Sequence, residues 1–379
     1  MAEPSPILVH CHLRWDGVWQ RPQQIMSRMA TRRRIGFVEE PVFLQEGQEP
    51  FLHVRESHGI LIAQPHVPPQ REWLPEVSPS NQQIIRELVA PFIRERGFTH
   101  GIRWHYAPMA IYMRDLQEPS AVVYDCMDEL SAFRGAPPAL VECERQLMSE
   151  ADLMFTGGLS MYQNKRQHHG NCHRFDSGVD VEHFAQATHP NTPVPEDARD
   201  RPRPILGYYG VIDERMDYDT IRALSQAFPE ATLLLVGPVT KVDPAELPRA
   251  ENIVYVGQRS YADLPRYLKA FDVALVPFAD NAATRFLSPT KTLEYFAGRK
   301  PVISSPINDI VENYADTVWI ARSPEEYVSA VREVLQGNHA ERAERGLRYA
   351  REKTWDAIVR QMEELLSEVE EKAARRRPA

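Results

Sequence analysis

A predicted helix start with a lysine and a glutamate in its first two turns is the part of the sequence best suited to hold a charged ligand. Ser288 is a good N-cap residue, Pro289 suits the first helical position, and Gly298 ends the helix. The unpaired N–H groups and positive dipole end of such a helix favour a diphosphate, and Lys291 adds a full charge. Glu294, three residues on, shares its face, where the carboxylate can accept hydrogen bonds from two ribose hydroxyls. We therefore predict a nucleotide diphosphate site. The alternative is an ordinary helix–strand unit with a solvated lysine–glutamate pair.

Three acids at the end of the predicted strand Ala121–Tyr124 form a second candidate site. Asp125, Asp128 and Glu129 are more than helix capping requires. A carboxylate here can take the proton from a hydroxyl that acts as a nucleophile, so we expect Asp125 or Asp128 to be a catalytic base. Asp128 could instead cap a helical turn, and Asp125 could pair with an arginine. His105 is a weaker catalytic candidate, because a lone histidine at a strand end is often only hydrogen-bonded.

The loop after the predicted strand Ile7–His10 is dense in side chains of the kind that bind sugars. Aromatic faces and bidentate polar groups recognise saccharides, so we expect an acceptor site in this loop. The alternative is that Trp15 and Trp19 cover the start of the helix that follows Pro22. The candidate binding residues are His12, Trp15, Asp16, Gln20 and Arg21.

We expect no metal and no other cofactor. Asp217-Tyr218-Asp219 has the D-x-D form of some metal-dependent enzymes, but it stands at the start of a predicted helix, where capping explains it better. The His/Cys groups at residues 10–12 and 168–173 lack the four converging ligands of a structural zinc. The four cysteines are scattered, which predicts reduced thiols in a cytoplasmic protein.

These residues are positioned by short apolar strands that alternate with amphipathic helices, a pattern that predicts an α/β protein with parallel sheets. In the first half we predict strands at Ile7–His10, Ile35–Val38, Gly101–Trp104, Ala121–Tyr124 and Leu153–Thr156, a helix at Ser80–Arg96, and an extra hairpin of Leu52–Val54 and Gly59–Ala63. In the second half we predict strands at Ile205–Tyr209, Thr232–Val236, Ile253–Val256, Val273–Pro277 and Pro301–Ser304, and helices at Tyr218–Ala227, Tyr261–Ala270, Thr290–Ala297 and Pro324–Leu335.

A proline-rich segment separates these two series of elements. Residues 189–204, HPNTPVPEDARDRPRP, have almost no apolar content and predict a linker. We expect an acceptor-binding domain at residues 1–188 and a nucleotide-binding domain at residues 205–338. A C-terminal helix and tail should fill residues 339–379, with one long helix from about Ala340 to Ala374.

The composition excludes several classes of protein. A chain of 379 residues suits two domains, and 53 acidic against 44 basic residues argue against nucleic-acid binding. No apolar run is long enough to span a membrane, and the first residues lack the pattern of a secretory signal, so we expect a cytoplasmic location. Arg375–Arg377 could contact anionic lipid as a peripheral site, with a solvated terminus as the alternative. The sequence gives no indication of oligomeric state.

The chain resembles family 4 glycosyltransferases and their relatives of GT-B fold. The segment SPTKTLEYFAGRKPVISSP is similar to their donor-binding helix, and the likeness continues through ILGYYGVIDERMD, LLLVGP, NIVYVGQRSYADLPRYLKAFDVALVPF and SGVDVEHF. It covers most of residues 150–310, and the N-terminal half matches only loosely. The resemblance implies the GT-B fold, in which two Rossmann-like domains place parallel sheets across a cleft.

The resemblance also implies roles for single residues. Lys291 would contact the donor phosphate, Glu294 the nucleotide ribose, and the strand end at Gly207–Gly210 would pass close to the diphosphate. The family usually has a second glutamate eight residues before the ribose glutamate, near the donor sugar. Here that position is Phe286.

Residue types add further donor-site candidates. Gly210 allows backbone to approach a ligand, and Arg215 offers a guanidinium to phosphate. Arg285 could do the same, or it could be a surface residue. The donor-binding candidates are Gly210, Arg215, Arg285, Ser288, Thr290, Lys291 and Glu294.

The leading hypothesis is a retaining, metal-independent glycosyltransferase that moves a hexose from a nucleotide diphosphate sugar. The resemblance favours UDP as the nucleotide, and the acceptor would be a hydroxyl of a saccharide, a lipid-linked or a small-molecule acceptor. Two alternatives are a sugar-nucleotide epimerase of the same fold and a catalytically silent sugar-nucleotide-binding protein, which Phe286 motivates. Acceptor-independent turnover would favour the epimerase, and tight nucleotide binding without turnover would favour the silent protein.

Overall fold

The computed structural model describes residues 4–70, 77–133, 135–337 and 339–376, with Arg376 described by its backbone alone. The chain forms two compact units. The first comprises Met1–Asp176 together with Asp356–Ala379, and the second comprises Ser177–Trp355. Among the described helices, none is both long and apolar enough to cross a membrane.

The first unit is built on one sheet. Its elements up to Asp176 are β1 (Ile7–His10), α1 (Arg21–Met29), β2 (Ile35–Val38), β3 (Val42–Phe43), β4 (Phe51–Ser57), β5 (Ile60–Val67), α2 (Pro79–Glu95), β6 (Ile102–His105), β7 (Ala121–Cys126), α3 (Ala139–Glu150), β8 (Leu153–Thr156), α4 (Leu159–Lys165) and β9 (Cys172–Arg174). The strand order is β3-β5-β2-β1-β6-β7-β8-β9, all parallel, and β4 pairs with β5 as an antiparallel hairpin. The predicted hairpin is therefore confirmed.

The second unit contains another parallel sheet with helices packed around it. Its elements are α5 (Val181–Ala185), α6 (Glu196–Arg199), β10 (Ile205–Tyr209), α7 (Tyr218–Ala227), β11 (Thr232–Val236), β12 (Ile253–Gly257), α8 (Leu264–Ala270), β13 (Val273–Val276), α9 (Thr290–Ala297), β14 (Val302–Ser304), α10 (Asn308–Tyr314), β15 (Trp319–Ile320), α11 (Pro324–Gln336) and α12 (Ala340–Glu352). The strand order is β12-β11-β10-β13-β14-β15. The last helix, α13 (Trp355–Arg376), starts at the end of this unit and continues into the first.

The central strands are apolar throughout because both of their faces are covered. Every residue of β1, β10, β11 and β13 is buried, as expected for parallel strands that lie between layers of helices. Within β10, a Cβ at Gly207 would overlap the Phe271 ring, so glycine there lets the strand and this ring pack together. The parallel order brings the carboxyl ends of the strands to one edge of each sheet, which is the edge that carries the candidate site residues.

The proline-rich segment at residues 189–204 lies inside the second unit and does not link the two units. The Lys269 ammonium donates to the carbonyl oxygens of His189 at 2.8 Å, Pro190 at 2.9 Å and Thr192 at 2.7 Å. The hydroxyl of Tyr267 donates to Asp197 at 2.9 Å. These bonds fix the segment on α8. The unit therefore begins at Ser177, earlier than the boundary at residue 188 expected from the sequence.

The single long helix expected from Ala340 to Ala374 is wrong, because two helices, α12 and α13, occupy this region. They are separated at Lys353-Thr354, where the Lys353 carbonyl accepts a 2.9 Å hydrogen bond from the Val179 amide. Val179 and Thr354 also form a parallel bridge. This tertiary pairing interrupts the helix, although the local sequence has no proline or glycine there.

The C-terminal helix α13 is held to the first unit by a buried arginine. The Arg33 guanidinium, 2% exposed, pairs with Glu363 at 2.8 Å and Glu370 at 2.9 Å. Residues 339–379 are therefore divided between the two units and do not form a separate element. In the predicted lipid-contacting tail, Arg375 pairs with Glu371 at 3.5 Å, and Arg377 and the Arg376 side chain lie outside the described residues.

Candidate active site

Helix α9 has the predicted bounds, Thr290–Ala297, but its N-cap residue differs from the prediction. Pro289, with φ −69° and ψ 111°, is the N-cap residue, and Thr290 is the first helical residue, so the prediction of Ser288 as N-cap is wrong. The Ser288 carbonyl accepts from the Ser177 hydroxyl at 3.4 Å, and the Thr290 hydroxyl donates to the same serine at 3.0 Å. These contacts keep the chain extended up to the helix. Among the residues that the structure describes, no side chain caps the first turn, so its amides keep their capacity to bind an anion.

Lys291 is half-buried beside aromatic rings rather than beside an acid. Its ammonium lies 5.4 Å from the centre of the Tyr208 ring and 5.1 Å from that of Phe278. Among the described residues no carboxylate lies within salt-bridge distance of it. Burial lowers the pKa of Lys291, nearby Arg215 lowers it further, and Glu294 opposes both effects. Within the described part of the chain the cation contacts ring faces and has no ion-pair partner, which makes it available to a phosphate.

Glu294 lies one turn along the same helix and is 8% exposed. Burial raises the pKa of its carboxyl, while Lys291 and the neighbouring Tyr209 hydroxyl lower it. The Tyr209 backbone is itself fixed, because its amide donates to the Tyr295 hydroxyl at 3.2 Å. A buried carboxylate of this kind is stabilised by a ligand whose hydroxyl groups donate hydrogen bonds to it.

The backbone of Gly210, which carries no side chain, lies against Lys291 at the end of β10. Gly210 has φ 139°, and a Cβ there would stand 2.8 Å from the Tyr208 hydroxyl oxygen and 3.0 Å from Lys291 Cε. Gly237, at the end of β11, has φ 150°, and a Cβ there would overlap the Gly210 carbonyl. Glycine is required at both turns, and their backbone packs tightly around the lysine. We call Tyr208, Tyr209, Gly210, Phe278, Lys291 and Glu294 the Lys291 cluster.

Two arginines expected to bind phosphate differ in their surroundings. Arg215 makes a bidentate pair with Asp213, with Nε at 2.9 Å and Nη2 at 2.7 Å from its oxygens. Arg285 is exposed, and its guanidinium lies 5.5 Å from the centre of the Phe286 ring next to it. Arg215 is therefore held by an acid next to the cluster, whereas Arg285 is an exposed cation in the loop that leads to α9.

The D-x-D sequence is a helix cap, as predicted. The Asp217 carboxylate accepts from the amides of Asp219 at 3.1 Å and Thr220 at 3.2 Å, at the start of α7. Asp219 is exposed and pairs with Arg222 at 2.6 Å. Within the described ranges, no three His, Cys, Asp or Glu side chains meet in a group that could hold a metal ion.

In the first unit, two of the predicted functional residues bind each other. Asp125 is fully buried at the end of β7, accepts a hydrogen bond from Arg21 Nε at 3.0 Å, and lies 2.9 Å from Arg21 Nη2 as an ion pair. Arg21, 5% exposed, also donates to the Phe175 carbonyl at 2.7 Å. Burial raises the pKa of Asp125, and Arg21 opposes the shift. The structure thus supports the alternative that Asp125 pairs with an arginine, and it leaves Arg21 no exposed surface for an acceptor.

Asp128 differs from the acids beside it. It lies in a bend after β7 and is half-exposed, and among the described side chains none pairs with its carboxylate. Glu129, by contrast, pairs with the ammonium of Lys165 at 2.7 Å. Of the three acids, Asp128 alone has a carboxylate that is both accessible and unpaired within the described part of the chain. We call residues 126–129 the Asp128 loop.

His105 is enclosed in the sheet. Its ring stacks on that of His10 with centroids 4.8 Å apart, and both side chains are buried. Burial lowers the pKa of His105 well below its usual value, with His10 and Arg103 adding to the shift. His105 is therefore a neutral core residue and has no accessible surface from which to reach a substrate.

Comparison with known proteins finds similarity to glycosyltransferases. Residues 203–337 match the model of the family Glycosyl transferases group 1. TuaH of Bacillus subtilis (strain 168), assigned to teichuronic acid biosynthesis as a glycosyltransferase, is 25% identical over 281 residues, which cover 68% of this chain and 70% of TuaH. The chain is a glycosyltransferase of GT-B fold.

Solved structures share the fold of this glycosyltransferase over nearly its whole length. Sucrose-phosphate synthase from Thermosynechococcus elongatus has a TM-score of 0.69 at 15% identity, with 96% of this chain and 99% of that chain covered. A UDP-forming trehalose-phosphate synthase from Burkholderia xenovorans, in complex with glucose-6-phosphate, has a TM-score of 0.68 at 12% identity, covering 96% and 100%. The segment that matches the family model contains the whole Lys291 cluster.

The predicted acceptor loop of the glycosyltransferase is mostly structural. Trp15 is 1% exposed, stands edge-on to Phe37 with centroids 5.3 Å apart, and donates from Nε1 to Ser57 at 3.2 Å. Its ring therefore cannot stack on a sugar, and that prediction is wrong. Asp16 is exposed and pairs with Arg55 at 2.8 Å.

The remaining acceptor candidates lie near the start of α1. Gln20 is the N-cap of this helix and forms a capping box with Gln23. His12 is half-buried, and Trp19 is half-exposed with its ring edge-on to buried Trp15 at 5.7 Å. The alternative stated from the sequence, in which the tryptophans cover the helix start, fits these contacts for Trp15.

Several contributors to the site were not identified from the sequence. Tyr208, Tyr209 and Phe278 surround the charged pair, and Gly237 fixes the Gly210 turn. Aromatic residues at strand ends look like ordinary core residues in a sequence, so no local signal separated them. The glycine after the strand Thr232–Val236 was a usable signal, because it repeats the position of Gly210 after Ile205–Tyr209.

Proposed function

We propose that the Lys291 cluster binds the UDP portion of a nucleotide-sugar donor. The observation that carries the proposal is a half-buried lysine and a buried glutamate on one face of α9, packed against bare backbone at Gly210. The Burkholderia relative in fold is named as UDP-forming, which supports UDP as the nucleotide. Lys291 and the first-turn amides of α9 would bind the diphosphate, and Glu294 would accept from the ribose hydroxyls.

In the proposed reaction, a hexosyl group leaves the diphosphate and joins an acceptor hydroxyl. The bond from the anomeric carbon to the diphosphate oxygen breaks, and charge builds on that oxygen. Lys291 and the α9 amides are fixed where they stabilise this charge, so the chemistry does not depend on a metal ion. Asp128 is the proposed group that receives the hydroxyl proton, because its carboxylate is accessible while Asp125 and Glu129 are paired.

We further propose that the acceptor is a saccharide, free or lipid-linked, and that its hydroxyl attacks from the face of the sugar that the diphosphate leaves, so that the anomeric configuration is retained. TuaH is assigned to teichuronic acid biosynthesis, and the trehalose-phosphate synthase structure holds a sugar phosphate. Both support a carbohydrate acceptor. A cytoplasmic location, with peripheral membrane contact, belongs to the same proposal. All four cysteines are free thiols, which fits a reducing compartment.

Titration calorimetry with UDP tests the donor site. Lys291→Ala and Glu294→Ala should each weaken binding by about 1–3 kcal/mol, because each leaves charge-assisted hydrogen bonds unmade. Arg299→Ala is a matched control, since Arg299 follows the C-cap residue Gly298 of this helix and pairs with Glu344 on the surface at 2.6 Å. Unchanged affinity in both cluster variants, with their melting temperatures intact, would refute the assignment.

A further inference from the structure

A buried lysine in the first unit lies outside the groups proposed to bind the donor or to receive the proton. Lys165, at the end of α4, is 4% exposed. Its ammonium lies 2.7 Å from a carboxylate oxygen of Glu129 and 2.6 Å from one of Glu144. Burial alone would lower the pKa of Lys165, but Cys126, Glu144 and Glu129 around it raise that pKa to about 12. The lysine is therefore a permanent cation between two acids.

This ion cluster joins four elements at one end of the Asp128 loop. Glu144 comes from α3 and also accepts from the Tyr124 hydroxyl of β7 at 2.7 Å. Glu129 ends the loop itself and accepts from the Ser131 hydroxyl at 2.7 Å. Taking a lysine and two glutamates out of water is costly, and such clusters seldom add net stability compared with apolar side chains. Their usual gain is a fixed geometry, and here the fixed segment is the loop that carries Asp128.

The other end of the same loop is fixed by backbone contacts. The Gly157 amide donates to the Cys126 carbonyl at 3.0 Å. A Cβ at Gly157 would stand 3.0 Å from the Met127 carbonyl oxygen and 3.2 Å from Met127 Cα, which is closer than side-chain carbons normally approach. Asp128 therefore lies between the close backbone packing of Gly157 against Met127 at one end of the loop and the buried Glu129–Lys165 ion pair at the other.

We propose that Glu129 and Lys165 are positioning residues that hold the Asp128 carboxylate in its catalytic orientation. The inference rests on the proposed role of Asp128 as base. A base acts only within hydrogen-bonding distance of the hydroxyl, and a shift of about 1 Å can cost on the order of 100-fold in rate. Glu129 touches neither substrate nor reacting atoms, and its effect on turnover passes through Asp128.

Glu129→Ala is the informative variant, because it frees the loop while Lys165 keeps its pair with Glu144 and the fold is retained. We expect kcat to fall about 10- to 100-fold with UDP-sugar affinity unchanged. Glu129→Gln should restore most of kcat, because its amide oxygen can still accept from Lys165. Glu363→Ala is the matched control. It likewise removes one of two carboxylates from a buried cation of this unit, Arg33, and should lower the melting temperature without changing kcat.

A double-mutant cycle with Asp128→Asn separates positioning from general structural damage. If Glu129 acts through Asp128, adding Glu129→Ala to Asp128→Asn should change kcat little. An equal fold-loss in both backgrounds, a Glu129→Gln variant as slow as Glu129→Ala, or normal turnover of Glu129→Ala would each overturn the positioning role. Normal turnover of Asp128→Asn alone would instead show that the proposed base is wrong, and the positioning role would fall with it.

Discussion

Donor affinity should pass through a maximum as pH is varied, because the two charged groups of the Lys291 cluster have shifted pKa values in opposite directions. Burial lowers the pKa of Lys291 and raises that of Glu294 in the free protein. A diphosphate binds the protonated lysine, so the donor raises the lysine pKa. Affinity is then full below the free-state pKa of Lys291 and is lost as pH rises through it. Ribose hydroxyls bind the ionised glutamate, so affinity is lost as pH falls through the free-state pKa of Glu294.

Each limb of the pH profile, the loss of affinity on one side of the maximum, has a slope set by the linkage between proton binding and donor binding. Between the free and bound pKa values of Lys291, affinity should fall tenfold per pH unit, or about 1.4 kcal/mol. The alkaline limb should lie below the usual lysine pKa, and the acidic limb above the usual glutamate pKa. UDP-glucose is the suitable probe, because both ends of its diphosphate are esterified and do not titrate near neutral pH. Calorimetry in buffers of different ionisation enthalpy would count the protons taken up or released.

Variants assign each limb to its residue. Lys291→Met should remove the alkaline limb and Glu294→Gln the acidic limb. Phe278→Leu should move the alkaline limb to lower pH, because the ammonium loses a ring face at 5.1 Å that favours its charge. Phe271→Leu, a buried ring of the same core without contact to the ammonium, is the matched control. UDP-glucose affinity that stays constant from mildly acidic to alkaline pH would refute the reasoning, as would limbs that persist in both charge-removing variants.

Four further predictions concern catalysis, the fold, metal dependence and stereochemistry. Asp128→Asn should lower turnover by about 10²–10⁴-fold while donor affinity is kept. Arg21→Ala should destabilise the first unit by about 3–5 kcal/mol, because it leaves Asp125 buried without its ion-pair partner. Normal turnover of the first variant, or an unchanged urea midpoint of the second, would contradict these roles. EDTA should leave initial rates unaltered, and activity lost to EDTA and restored by Mn²⁺ would show that metal independence is wrong. NMR should find the anomeric configuration retained in the product.

The second unit was the easier half to predict because its signals are local. The strands Ile205–Tyr209 and Thr232–Val236 and the helices Tyr218–Ala227 and Thr290–Ala297 have the predicted bounds. Each strand is a continuous apolar run, and Asp217 marks the start of the first helix by capping it. Apolar periodicity and capping act over a few residues, so the sequence displays them directly.

The errors arose where contacts between distant residues decide the structure. Trp15 sits in a polar sequence but packs against Phe37, more than twenty residues away. The break before Trp355 depends on Val179, which pairs with Thr354 from the other end of the unit. The proline-rich segment looks like a linker because its prolines are visible in the sequence, whereas the three bonds from Lys269 that fix it are not.

Lys165 and Lys291 show why environment, rather than residue type, separates a binding group from a structural one. Lys165 has carboxylate oxygens at 2.6 and 2.7 Å, and its pKa is raised to about 12. Lys291 has no carboxylate within salt-bridge distance among the described residues, and burial lowers its pKa. The first lysine has its charge fully compensated within the protein, so a ligand would gain little from it. Glu294 compensates the second only in part, so a cation beside bare backbone at Gly210 remains open to pairing with an anionic ligand such as a diphosphate.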